Sequence, residues 1–172
     1  ETGRYGLGHA RNFDSLSKEQ LLKMLGTASS ERHFIMYEAL RKGATVEEIH
    51  EITKVKAYFI EQMKELVDEE EALLKYKGQS LPEEAMRQAK LDGFSDKYLS
   101  TILQVEEEQV RNDRLSYGIR QAWEGVHVSS TQDSAYYYST YHIKDESPVS
   151  SNKKIMILGG GPNRIGQGIE FD

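Results

Sequence analysis

Three times before residue 84 the chain sets a serine or threonine three places ahead of a glutamine or glutamate: Ser17-Lys-Glu-Gln20, Thr45-Val-Glu-Glu48 and Ser80-Leu-Pro-Glu83. In such a box the hydroxyl accepts from an early backbone N–H while the longer side chain reaches back to the N-cap, so each box marks a helix start. Gly26, Gly43, Gly78 and Gly93 follow at intervals as stops, since glycine adopts the left-handed backbone that ends many helices. No heptad persists through stops this frequent, which excludes a coiled coil. The chain must build its core from short helices.

The apolar positions fill in those helices. Leu21, Leu22, Met24 and Leu25 give the first an apolar face, and Phe34, Ile35, Tyr37, Ala39 and Leu40 give one to a second, from about Glu31 to Lys42. A short helix runs through Ile49 and Ile52. The longest is expected from Thr53 to just before Gly78, with Val55, Phe59, Met63, Leu66, Val67, Leu73 and Leu74 mostly at three- and four-residue steps. Pro82 sits early in the next, where a missing donor costs nothing, and Ser95 and Val105 introduce two more. After Tyr117 the texture changes. IRQAWEGVHVSS, Ile119 to Ser130, is richer in β-branched and aromatic residues, with Gly125 inside, and SAYYYSTYHI, Ser134 to Ile143, favours a strand. KDESPVSSN, residues 144–152, is a polar linker, and the apolar run Ile155 to Leu158 after it is expected as a buried strand. The fold class is therefore mainly α: an irregular bundle of short helices followed by a few strands, the last being the first strand of a truncated α/β domain.

Charge and composition narrow the function. The formal net charge is −6, against a surface built for nucleic acid or anionic lipid. There is no cysteine, which removes disulfides, a thiolate nucleophile and zinc–thiolate sites. No apolar stretch approaches the roughly 20 residues that cross a bilayer, and the first residues lack the apolar core of a signal peptide, so a cytoplasmic location is expected. His9, His33, His50, His127 and His142 show no ligand spacing, and no serine stands in a Gly-x-Ser-x-Gly turn. Asp68-Glu-Glu-Glu71 reads as a solvated helix face, because consecutive helix positions point in different directions. Tyr136, Tyr137, Tyr138 and Tyr141 read as part of a core or domain interface. No catalytic or metal-binding residue is expected.

The final glycines come near two phosphate-binding loops without matching either. Gly159-x-Gly161 is followed by Arg164 where a dinucleotide fingerprint has its third glycine. Gly161 and Gly166-Gln167-Gly168 lack the lysine and hydroxyl of a Walker loop. The plain alternative is a tight turn after a strand.

GGGPNRIGQGIEFD, from Gly159 to Asp172, together with the upstream SAYYYSTY, resembles the large chain of carbamoyl-phosphate synthetases. KLDGFSDKYL, from Lys90 to Leu99, and AYFIEQMKELVDEE also look like that family's helical region. In the family two homologous ATP-using halves are joined by a helical oligomerisation domain. The resemblance implies that residues 1–12 are the tail of the first half, 13–143 the helical oligomerisation and connection domain, 144–152 a linker, and 153–172 the opening strand and glycine loop of the second half. Before the tyrosine strand the family usually carries a run containing cysteine and glutamate, whereas this chain has Trp123-Glu-Gly-Val-His-Val-Ser-Ser130.

The resemblance implies a parent ligase that makes carbamoyl phosphate from bicarbonate, glutamine-derived ammonia and two ATP, with Mg or Mn. Its partners would be the remaining domains of the large chain and a glutaminase small chain, in arginine or pyrimidine biosynthesis. The segment itself is expected to join the halves and to be inactive, with no cofactor of its own. By the same resemblance Gly168 and Glu170 line a tunnel for labile intermediates. Pairing of Glu170 with Arg164 to hold the loop is the competing structural reading. Leu21, Leu22, Met24 and Leu25 are more apolar residues than one narrow stripe needs, so part of them is a candidate homo-oligomer contact, with core packing the equal alternative. A stand-alone helical interaction module and a nucleotide-binding piece using the glycine loop are the other two readings.

Overall fold

The computed structural model describes residues 3–9, 13–126, 137–142, 144–147 and 149–156. Its helices are α1 (Lys18–Leu25), α2 (Arg32–Arg41), α3 (Val46–Thr53), α4 (Ala57–Leu73), α5 (Glu83–Leu91), α6 (Asp96–Leu103) and α7 (Glu107–Ser116). A 3-10 turn, Leu74–Tyr76, continues α4, and two strands follow, β1 (Ala122–Gly125) and β2 (Tyr137–Thr140). Mainly helical architecture followed by strands is what the start and stop signals imply.

Two of the three capping boxes form in full. Ser17 and Thr45 accept from the N–H groups of Gln20 and Glu48, whose side chains bond back to the caps. The third does not, because Pro82 takes the N-cap place of α5. Ser80 instead accepts from the Gln109 side-chain amide at 3.2 Å. Ser95, followed by no glutamate at the third place, still caps α6 through the Tyr98 N–H. Two stops carry no glycine: Lys54 ends α3 and Gln104 ends α6, both left-handed, with φ of 57° and 58°. The Lys54 turn corrects the expected start of the long helix. Thr53 closes α3, its hydroxyl donating to Ile49 O, and α4 begins only at Ala57.

Two cores form, and α4 serves both. Ile60 and Val67 join Leu21, Leu25, Ile35, Tyr37 and Ile49 in the first, among α1 to α4. Leu73 joins Leu81, Met86, Leu99, Ile102 and Val110 in the second, among α5 to α7. Leu66 packs against both. A helix of 17 residues spans about 25 Å, enough to run through two small cores.

This settles where the four candidate contact residues of α1 lie. Leu21 and Leu25 are buried in the chain's own core, Leu22 packs partly against it, and Met24 alone is exposed, at 40%. The 3.6-residue period puts Leu21 and Leu25 on one inward stripe.

β1 and β2 form an antiparallel ribbon with Ala122 opposite Thr140 and Trp123 opposite Ser139. The free edge of β1 is not left open. Trp123 and Gly125 donate their N–H groups to the Asp145 and Glu146 carboxylates at 3.2 and 3.1 Å, and Glu146 N–H donates to Trp123 O at 3.0 Å. Acidic side chains here take the place of a third strand. Ile155 and Met156, expected to open a buried strand, are highly exposed and lie outside any strand, with no described strand beside them. The glycine loop lies outside the described residues.

Candidate functional site

The acidic run Asp68 to Glu71 is not uniformly solvated. Asp68 pairs with Lys64 on the surface, whereas Glu70 is 0% exposed. Successive residues turn by about 100° on a helix, so of four neighbours one points inward. Glu70 accepts from the hydroxyls of Tyr37 at 2.8 Å and Tyr98 at 2.5 Å and forms an ion pair with Arg41; His9 Nε2 lies 3.3 Å from its other oxygen. Burial raises both tyrosine hydroxyls, Tyr98 to about 12 and Tyr37 further. They stay protonated and donate.

Arg41 serves two other carboxylates more weakly. Buried Glu38 and half-exposed Glu71 each lie 3.6 Å from its guanidinium, and Glu38 Oε2 has no hydrogen-bond partner among the described residues. Burial, with the Arg41 charge second, holds the His9 imidazole below its ordinary value. His9 Nε2 faces the Glu70 oxygen that Arg41 also pairs with, whereas both tyrosine hydroxyls donate to the other oxygen.

The N-terminal segment closes over this cluster with its backbone pressed close at two glycines. A Cβ on Gly6 would come within 2.6 Å of the Tyr98 ring, and one on Gly8 would strike the Tyr98 hydroxyl, the Arg41 guanidinium and Glu70. Only glycine permits so close a backbone approach. Arg4 adds a second tie, donating to Glu31 at 2.5 Å with its guanidinium 3.9 Å from the Phe34 ring centroid.

A second cluster lies around the start of α6. Asp96 accepts from Lys90 at 2.9 Å and from Arg114 at 2.8 to 3.1 Å, while Lys90 also donates to Phe94 O and Arg114 to Ile119 O. Burial alone would raise the Asp96 carboxyl, but the hydrogen bonds from Arg114 and then Lys90 outweigh it and leave the group below its ordinary range. Burial lowers Lys90, and the pairing only partly offsets this. Tyr141 covers both cations, its ring centroid 5.0 Å from Lys90 Nζ and 5.9 Å from the Arg114 guanidinium. His142 Nε2 is 3.1 Å from Leu91 O.

Both clusters pair buried cations with carboxylates, and no group of three or more His, Asp or Glu able to hold a metal occurs among the described residues. The clusters hold chain segments in place. Lys90, Asp96 and Tyr98 all fall in the quoted stretch KLDGFSDKYL, yet the sequence alone does not single them out. Gly168 and Glu170 lie outside the described residues, as do Tyr136 and His127. Of the other tyrosines Tyr141 packs on the second core, Tyr137 is half-buried and Tyr138 is exposed. No helix is long and apolar enough to cross a membrane among the described residues.

Residues 1–118 match the family described as carbamoyl-phosphate synthetase large chain, oligomerisation domain. The carbamoyl phosphate synthase large chain of Archaeoglobus fulgidus is 40% identical over 179 residues, covering 100% of this chain and 17% of that protein. That of Neisseria meningitidis serogroup B is 41% identical over 175 residues, covering 100% of this chain and 16% of that protein. The arginine-specific chloroplastic large chain of Arabidopsis thaliana is 39% identical over 157 residues, covering 90% of this chain and 13% of its own length. The ribbon lies beyond the 118 matched residues. The chain belongs to the carbamoyl-phosphate synthetase large-chain family, spans less than a fifth of the length of these relatives, and carries the family's oligomerisation domain.

Proposed function

We propose that the chain is the part of a carbamoyl-phosphate synthetase large chain that joins its two ATP-using halves and carries a self-association contact, without catalysis of its own. Identity of 40% across all of this chain, over 17% of a relative that bears the enzyme's name, carries the reading. The parent then makes carbamoyl phosphate from bicarbonate, glutamine-derived ammonia and two ATP, with Mg or Mn held in its other domains and a glutaminase chain as partner. Titration of the 172-residue chain with MgATP should give no binding heat and no hydrolysis. Saturable binding would favour a nucleotide site on the glycine loop instead. A native product of 19.6 kDa, the mass of this chain, would replace the joining role with a free-standing interaction module.

The contact with a second copy is assigned to the first turn of α4 and its surroundings. Tyr58 and Phe59 are 62% and 56% exposed and meet edge to face at 5.4 Å between centroids, and Met24 and Ile52 are the other exposed large apolar side chains of the first four helices. Aromatic side chains in this state are typical anchors of protein contacts. Sedimentation of the Tyr58→Glu/Phe59→Glu variant should show a lighter species than the unaltered chain. Unchanged association would remove this face from the contact. In the parent, Gly168→Trp should leave bicarbonate-dependent ATP hydrolysis intact while carbamoyl phosphate formation falls, because a labile intermediate is lost once its enclosed path is blocked. Equal loss of both would favour the loop-holding role of Glu170 and Arg164.

A further inference from the structure

We infer that the corner between α5 and α6 acts as a yoke, coupling the position of the segment that enters the helical body to that of the ribbon that leaves it. On the entering side the Tyr98 ring fills the space over Gly6, and the Ser95 hydroxyl reaches Tyr5 O at 3.4 Å. On the leaving side Asp96, with Lys90 and Arg114, makes the bed for Tyr141, and Leu91 O meets His142. Asp96 and Tyr98 are two residues apart, roughly 200° around the helix. The first turn of α6 therefore presents one face to each segment.

The two faces are tied to each other. Phe94 stacks on Tyr98 with centroids 5.7 Å apart, and its carbonyl accepts from Lys90 at 2.6 Å. A shift of Tyr141 thus reaches Tyr98 through one lysine, one backbone carbonyl and one ring. Close-packed side chains pass on such a displacement rather than absorbing it. If the segment joins two halves, this corner is where a movement of one is felt by the other. That purpose rests on the joining role, whereas the coupling itself is a property of this chain.

Hydrogen exchange followed by mass spectrometry on the 172-residue chain tests the coupling. Tyr141→Ala removes the ring from the ribbon side and leaves α6 and residues 5–9 unchanged in sequence. Exchange in residues 5–9 should rise by about fivefold, the lower end of usual coupling between sites, while amides of α2 and α3 keep their protection. In the reverse direction, Gly6→Ala should raise exchange in residues 139–142. Effects confined to the altered side in both variants would overturn the yoke. If Tyr141→Ala exposes α2 and α3 as well, His142→Ala reads the same coupling through loss of one surface hydrogen bond. A null result at residues 5–9 there counts against it equally. Rejection of the joining role by the native mass would leave these outcomes unaffected.

Discussion

Glu70 and Asp96 are both carboxylates set against an arginine, but they are neutralised in opposite ways. At Glu70 one guanidinium serves Glu70 closely and Glu38 and Glu71 at 3.6 Å, so carboxylates outnumber arginines. At Asp96 one carboxylate serves Lys90 and Arg114, so cations are in excess. What docks on each follows from that excess. The acid-rich cluster is completed by hydroxyl donors and an imidazole on the N-terminal segment, the cation-rich cluster by the face of the Tyr141 ring, whose quadrupole attracts cations. Position differs too. Glu70 is fully enclosed near the end of α4, while the Asp96 side chain is 16% exposed at the first residue of α6, where the helix dipole favours a negative charge.

The largest expected effect breaks the enclosed cluster. Glu70→Ala leaves Arg41 buried with only distant carboxylates and two tyrosine hydroxyls without an acceptor, which should cost about 3–5 kcal/mol of unfolding free energy in urea. Loss of less than the Asp96 variant costs would contradict the ranking by enclosure.

Asp96→Ala should cost less, about 1–3 kcal/mol, because water reaches the site and both cations keep carbonyl partners. Its pH dependence sharpens the comparison. The folded Asp96 group titrates below its ordinary value, so its contribution is full above about pH 3.9 and is lost as pH falls through the folded value. The difference between Asp96→Ala and the unaltered chain should therefore shrink only below about pH 4, as read by urea midpoints at stepped pH.

Gly8→Ala comes next, at about 1 kcal/mol of global stability, because the N-terminal segment swings away while the core stays intact. Proteolysis within residues 3–9 should accelerate far more than global unfolding. Unchanged proteolysis would mean that the backbone yields without release.

These effects also mark what the sequence could and could not say. Ser17, Thr45 and the stops at Gly43, Gly78 and Gly93 act through neighbours a few residues away, so local pattern reveals them. Lys54 and Gln104 adopt left-handed backbone that their side chains do not favour, closing helix ends through N–H bonds back to His50 O and Ser100 O, so those boundaries shift from expectation. Glu70 partners residues from 28 to 61 places away and Asp96 one 18 places away. Nothing in a run of four acidic residues tells which one turns inward. Gly6 and Gly8 hold the clearest missed signal, a Gly-x-Gly with no turn to explain it, which is how a close backbone approach reads in a sequence.

The smallest effect asks whether the Glu70 charge is already saturated. His9 faces Glu70 at 3.3 Å with Arg41, Glu38, Asp14 and Lys77 also within electrostatic reach, and burial and then Arg41 hold its imidazole below the ordinary value. The docked segment thus binds fewer protons than the free one between the lowered value and about 6.5, so docking is full above pH 6.5 and weakens as pH falls below it. His9 keeps 38% side-chain exposure, so solvent screening keeps the effect modest. Exchange rates of residues 5–9, corrected for intrinsic pH dependence, should rise on acidification from pH 7 to 5.5, and His9→Gln should abolish the rise. Tighter docking at low pH would show that Glu70 still has charge to offer an imidazolium. Burial and the Arg41 charge would then not outweigh Glu70 at this imidazole, and the contrast with Asp96, whose partners leave cation to spare, would sharpen.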